Sequence, residues 1–392
     1  MKSVFIADAL RTPSGSLQGN LAPLSSTELA SIVAGTLWKQ NRLIPEQIEQ
    51  VIFGSVFCAG TGTDPARQAT LKAGFPYSVP GLSVQNNRLS GISSIQMAVG
   101  RIDAGQLGII LAGGMESMSN APLYTSRHRP GSSIGHSAMR DTLLTDDAED
   151  PFVGTSWSQA TDQICSEKGI KRDELDEGTM RLFHNSLQSL KNGAFEREIV
   201  PVTLRSGGKK AQVIRKDQPV GRVDPEKISR LHPLFGEDGT LTRAHCAPAA
   251  DGAAALLLTD SECAARLRLS PLARVAGMAE TAVRPADWLS ASSQVITKAA
   301  RDAEVELQDI QWFEIDEPFA VASLYATKEL ELDPQYVNRA GNSVSLGNAT
   351  GTVGARILVT LVHALNRHQI KWGCAATVQP NGSAAAVVLE RM

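Results

Sequence analysis

Apolar residues recur at helical spacing in "TELASIVAGTLWKQ", residues 27–40, where Leu29, Ile32, Val33 and Leu37 share one face. The next apolar block, "QVIFGSVF" at 50–57, is short and rich in β-formers, so it predicts a strand. "ISSIQMAVGRIDAG", 92–105, predicts a second helix closed by a glycine, and "LGIILAGG", 107–114, a buried strand that stops in two glycines. This order is strand-helix-strand grammar, which predicts parallel strands joined by crossover helices.

The pattern changes at about residue 119. "SNAPLYTSRHRPGSSIGHS" is rich in Gly, Ser and Pro, "DTLLTDDAEDP" is acidic, and "DELDEGTMRLFHNSLQSLKNG" is helical, which together predict an inserted, mostly helical lobe. The acidic run reads as a solvated loop, with partner binding as its alternative, and His136 falls in a loop where solvation is the default. "GAAALLLTD", 252–260, then predicts a strand returning to the first domain, and a second αβ unit begins near Arg274. "SVSLGNATGTVGARILVTLVHALNRHQIKWGCAATVQPNGSAAAVVLE" repeats the plan of "LSVQNNRLSGISSIQMAVGRIDAGQLGIILAGGMES", so two pseudo-symmetric halves are expected. The boundaries expected are 1–118 for the first half, 119–249 for the insertion, 250–270 for the returning strand and 271–392 for the second half.

Composition supports this picture. The chain has 392 residues, of which 42% are hydrophobic and 20% charged, with 33 glycines, the profile of a globular α/β protein of two domains. A formal charge of -3 argues against nucleic acid or an anionic membrane as partner. Five scattered cysteines suggest neither disulfides nor a metal site, which points to a reducing, cytoplasmic setting. The opening "MKSVFIADALRTP" enters a strand pattern at once, so no signal peptide is expected, and no apolar run has the length of a membrane span.

Ordered motifs narrow the reading. "RTPSGSLQGNLAPLSSTELA", "GGMESMS", "EREIVPVTL", "EDGTLT" with "DGAAALLL", "EIDEPFA" and "GNATGTVGARIL" together resemble the signatures of the thiolase family, coenzyme A-dependent enzymes that make or cleave 3-ketoacyl thioesters. The resemblance implies a five-layer αβαβα fold, two similar halves with a helical loop domain inserted in the first, and homodimers often paired into tetramers. It implies a coenzyme A thioester as ligand, with no other cofactor required, and assigns Arg222 and Ala247 to the coenzyme A channel. "GGMESMS" belongs to the retained scaffold.

The same resemblance exposes departures. Where the family has its nucleophilic cysteine, this chain has Arg88, followed by Leu89, Ser90 and Gly91; where it has its histidine, Asn348; where it has its proton-shuttling cysteine, Val378. The water-holding asparagine becomes Asp316, and a loop serine that contacts pantetheine is lost in the run Ala244, His245, Cys246, Ala247. Arg88 cannot be a nucleophile, because a guanidinium holds its charge throughout the biological pH range. A cation at a helix N-terminus also opposes the macrodipole, so Arg88 calls for an anion. Two readings follow: a plug that fills the acyl pocket paired with Asp316 or Glu317, or a recognition group for a ligand carboxylate or phosphate. Cys246 beside His245, and Ser90, are the candidates for relocated chemistry. The expectation is therefore a thiolase-like protein without ordinary thiolase activity, acting as scaffold or as the partner subunit of a hetero-oligomeric acyltransferase. Its alternatives are an atypical acyltransferase and an acyl-CoA or anion-binding protein that uses Arg88.

Overall fold

The computed structural model describes residues 3–126, 129, 131, 134–152, 154–204 and 211–392. The first half begins with β1 (Val4–Arg11), the two-residue β2 (Gly15–Ser16) and α1 (Ser26–Gln40). Ser25 starts that helix with a capping box: its hydroxyl accepts the Glu28 amide at 3.3 Å, and the Glu28 carboxylate accepts the Ser25 amide at 2.8 Å. Then come β3 (Gln50–Gly54), α2 (Pro65–Lys72), β4 (Gly81–Val84), α3 (Ser90–Asp103) and β5 (Ile109–Ser117). The inserted segment pairs β6 (Leu123–Thr125) with β7 (Met139–Asp141), adds α4 (Trp157–Glu167) and α5 (Arg172–Lys191), and pairs β8 (Val202–Leu204) with β9 (Gln212–Ile214).

The chain returns through β10 (Ala250–Asp260) and α6 (Ser261–Leu267). The second half contains β11 (Ala273–Ala282), α7 (Leu289–Asp302), β12 (Phe313–Ile315), α8 (Val321–Glu329), the short α9 (Ser343–Leu346), α10 (Val353–His368), β13 (Trp372–Val378) and β14 (Ser383–Arg391).

The duplication is legible in the strand ladder. In the first half β3 runs parallel to β5, β5 antiparallel to β10, and β10 antiparallel to β1. The second half repeats those relations in β12, β13, β14 and β11. A short antiparallel contact of β1 with β11, Phe5 opposite Arg274 and Ile6 opposite Ala273, links the two sets into one ladder, a junction with no signal in the periodicity.

Five layers follow from where the apolar faces go. One core lies between the strand sets around α3 and α10, a second under α1 and α2, and a third under α7 and α8. The helix α10 is buried over most of its length, from Val353 to Leu365, as its central position requires. The two central helices meet N-terminus to N-terminus on glycine: a Cβ at Gly91 would stand 2.9 Å from the Gly351 carbonyl oxygen, and one at Gly354 2.7 Å from Ile92 Cβ. That close approach brings the two Gly-containing turns of the repeat into one site.

Candidate active site

The turn between β4 and α3 is built by its asparagines. Asn87 has φ of 43°, a left-handed conformation that Asn tolerates better than most residues, and its Oδ1 accepts the Arg88 amide at 2.6 Å. Ser90 is spent on the same turn: its hydroxyl donates to the Asn87 carbonyl at 2.6 Å and accepts the Asn86 amide at 2.8 Å. It is fully buried, so this structure gives it no role as a relocated nucleophile.

Arg88 is buried at the head of α3, where its Nε and Nη2 form a two-pronged pair with Asp316 at 2.5 and 2.9 Å. Asp316 also accepts the Ser343 hydroxyl and the Glu317 amide, each at 2.7 Å. Its carboxylate is thus fully engaged. Glu317, the other candidate partner, turns instead to Ser323 and Asn338 at 2.5 and 2.7 Å, and burial pushes its carboxyl up to about 8.

Arg88 does not fill the pocket. It forms part of the wall of a cavity of about 510 Å³, large enough for a small-molecule site, together with Asn87, Asp147, Cys246, Phe319 and Asn348. Gln379 reaches this wall, whereas its neighbour Val378 is fully buried in the apolar core under α7 and α8. The Oδ1 of Asn348 and the Oε1 of Gln379 are buried without a hydrogen-bond partner among the described residues. Unpaired amide oxygens in a cavity wall are suited to a ligand that donates hydrogen bonds.

His245 and Cys246 are adjacent in sequence but not in purpose. The imidazole Nε2 donates to Asp176 at 2.7 Å, Nδ1 accepts the Thr242 amide at 2.9 Å, and burial holds the ring down at about 4. With both nitrogens committed, this ring is no base for the neighbouring thiol. Burial pushes the Cys246 thiol up to about 12, which leaves it protonated at neutral pH. Its place is nonetheless informative. Cys246 also lines a second cavity, of about 610 Å³, whose wall carries Arg222, Arg243 and Lys227, the last paired with Asp224 at 3.1 Å. Ala247 lies on the Arg88 side of that junction.

The acidic stretch corrects the expectation of a solvated loop. Leu144–Ala148 forms a π-helical turn over the cavity, pinned where Asn87 Nδ2 donates to the Asp146 carbonyl at 2.8 Å. Asp147 is partly buried there and accepts the Thr350 hydroxyl at 3.1 Å. Burial raises its carboxyl above the usual range, against the pull of Arg88 and Thr350. Sequence reasoning missed this residue because a run of acids in a polar segment carries no mark of which one turns inward. His136, by contrast, is exposed. Among the described residues there is no cluster of three or more His, Cys, Asp or Glu able to hold a metal ion, and no helix long and apolar enough to cross a membrane.

Comparison with known proteins matches the whole chain. The profile of the thiolase N-terminal domain covers residues 4–262 and that of the thiolase C-terminal domain residues 269–391. Acetyl-CoA acetyltransferase 2 of Arabidopsis thaliana is 36% identical over 392 residues, 99% of this chain and 97% of that protein. A probable acetyl-CoA acyltransferase of Staphylococcus aureus is also 36% identical, over 100% of both chains. The crystal structure of the Bacillus anthracis acetyl-CoA acetyltransferase superposes with a TM-score of 0.96 at 32% identity, covering 100% of this chain and 99% of that one. The Acat5 thiolase of Ascaris suum in complex with coenzyme A gives 0.93 at 33% identity over 100% of both.

These full-length matches to proteins named as acyltransferases overturn the expectation of a degenerate, inactive scaffold or partner subunit. Nothing of the relatives' two-domain framework is missing, and a cavity remains at the meeting of the two central helices. By its motifs, its five-layer architecture and its end-to-end similarity, the chain belongs to the thiolase family.

Proposed function

We propose that the chain is an acyltransferase that takes a coenzyme A thioester into the Arg88 cavity. One observation carries the reading: Cys246 lines both cavities, so a vestibule with Arg222, Arg243 and the ion pair of Lys227 with Asp224 adjoins the chamber walled by Arg88 and Asn348. Coenzyme A needs that sequence of surfaces, basic groups for its phosphates and then a passage leading the thioester inward. The names of the relatives, acetyl-CoA acetyltransferase and acetyl-CoA acyltransferase, support acetyl-CoA as the first thioester to try.

In this chamber the thioester carbonyl meets a fixed donor. Arg88 gives Nε and Nη2 to Asp316 and keeps Nη1 outside that pair, a fixed cationic edge in the cavity wall. Held donors of this kind stabilise charge that develops on a carbonyl oxygen without reorganising at the moment of reaction. No sulfur at residue 88 is available to hold the acyl group, and the Cys246 thiol is protonated. The acyl group therefore passes between thioester and acceptor without a lasting bond to the protein.

The test is to assay purified protein for cleavage of acetoacetyl-CoA by coenzyme A, and to weigh the intact chain after incubation with acetyl-CoA. Turnover above the rate in buffer, with an unmodified mass, is expected. Absence of turnover with every short-chain thioester would remove the acyltransferase reading, and an acylated Cys246 would replace the direct route by a covalent one.

A further inference from the structure

We propose that Asp147 is the catalytic residue that moves the proton at the α-carbon of the bound acyl group. The inference rests on the thioester reading above and adds the proton carrier that reading lacks. Around the cavity, few side chains can gain and lose a proton near neutral pH. Asn348 and Gln379 are amides, Arg88 keeps its charge, and the Cys246 thiol stays protonated. The imidazole of His245 is turned to Asp176 and Thr242. The π-helical turn supplies what is left, and of its acids Asp146 and the following Glu149 are exposed while Asp147 is partly buried.

The surroundings of Asp147 are those of a poised base. Its Oδ2 accepts the Thr350 hydroxyl at 3.1 Å, and that same hydroxyl oxygen accepts Asn348 Nδ2 at 3.2 Å. A continuous chain thus runs from the carboxylate to the turn that opens the second central helix. Oδ1 carries no hydrogen bond from the described residues, and Asp147 lies in the cavity wall with Arg88. The turn itself is held: Leu143 donates its amide to Asp141 Oδ1 at 2.9 Å, and Thr142 donates its hydroxyl to the Pro122 carbonyl at 2.8 Å. A carboxylate raised above its usual range is a stronger base than a solvated one, and it needs less driving force to take a carbon-bound proton.

The step balances on the groups present. The α-carbon C–H bond breaks as an O–H bond forms on Asp147, and the electron pair moves onto the thioester carbonyl oxygen, whose new negative charge faces the free edge of Arg88. In the reverse direction Asp147 returns the same proton to the α-carbon.

Exchange of α-hydrogen for deuterium isolates this step from acyl transfer. Wild type, Asp147→Asn and Asp147→Glu are incubated with acetyl-CoA in deuterated water, and label in the acetyl group is read by mass spectrometry. Binding is followed separately as thermal stabilisation by acetyl-CoA. The wild type is expected to exchange, at a rate rising with pH through the titration of Asp147. Burial, and then the charges of Arg88 in the cavity wall and of Asp316 behind it, set this titration, while Asp146 and Glu149 are the other acids of the same wall. Asp147→Asn is expected to lose roughly 100-fold or more of the exchange while still being stabilised by acetyl-CoA, and Asp147→Glu to recover part of it. Equal exchange in wild type and Asp147→Asn overturns the assignment, as does a wild type that binds acetyl-CoA without exchanging. A wild type that shows no binding at all sinks the underlying thioester reading and takes this inference with it.

Discussion

Arg88 sits where the amide dipoles of α3 present their positive end, a placement that costs a lone cation about 0.3–1 kcal/mol. The pair with Asp316 offsets that cost and also resolves a second misfit, a fully buried carboxylate in the β12–α8 turn. Removing one member of a buried pair leaves the other uncompensated, so Arg88→Ala is expected to lower stability by about 3–5 kcal/mol in urea unfolding. A loss under about 1 kcal/mol would mean that Ser343 and the Glu317 amide suffice to hold Asp316. The exposed pair Arg284–Asp287 offers the contrast, since solvent screens such contacts to little effect. At this scale the need for an anion at Arg88 was legible from charge and position alone. The inward turn of Asp147 was not, because Asp146, Asp147 and Glu149 are chemically alike and only the packing of the turn sorts them.

The central contact between α3 and α10 depends on absent side chains. Gly354 faces Ile92 so closely that a methyl group would stand 2.7 Å from the Ile92 Cβ and 2.8 Å from its amide nitrogen. Gly354→Ala is therefore expected to push the helices apart and cost about 1–3 kcal/mol, read as a lower unfolding midpoint. An unchanged midpoint would show that the helix pair has slack. Element identity was largely open to periodicity: "TELASIVAGTLWKQ" falls within α1, and "LGIILAGG" overlaps β5, which begins at Ile109 and runs on to Ser117. The helix expected over 92–105 begins earlier, at Ser90, and ends at Asp103. The helix-helix contact had no comparable signal, since a glycine in a helical run looks the same whether it faces solvent or another backbone.

Three buried carboxyls tie the halves and the second strand set together, and they govern how the whole molecule answers pH. Glu116 accepts the amides of Val56 and Gly351 at 2.8 and 3.0 Å, joining a loop of the first half to the turn before α10. Glu314 accepts Trp312 Nε1 at 2.8 Å and Asn342 Nδ2 at 3.1 Å. Burial raises Glu116 to about 7 and Glu314 and Glu317 to about 8, from 4.5. Because the folded chain then holds these protons more tightly than the unfolded chain does, their contribution is complete below 4.5 and is lost as pH rises through 7 to 8. Unfolding followed from pH 5 to 8 is expected to show falling stability, each group contributing up to about 1.4 kcal/mol per pH unit between 4.5 and its folded value. Glu317→Gln keeps the acceptor for Ser323 and Asn338 and is expected to flatten part of that slope. An identical slope in the variant would contradict the assignment.

What the sequence by itself determined was local and ordinal: the periodicity of the helices and strands, the repetition of one αβ plan, the order of the family's motifs, and the charge at residue 88. These follow from chemistry within one or two turns of chain. Tertiary structure alone decided which side chains share a cavity. It brought Arg88 to Asp316 across 228 residues, laid Asp147 beside Thr350 across 203, and turned His245 away from its neighbour Cys246. Contacts between remote segments depend on packing geometry and on the competition of buried polar groups for partners, and neither is written in the spacing of residues along the chain.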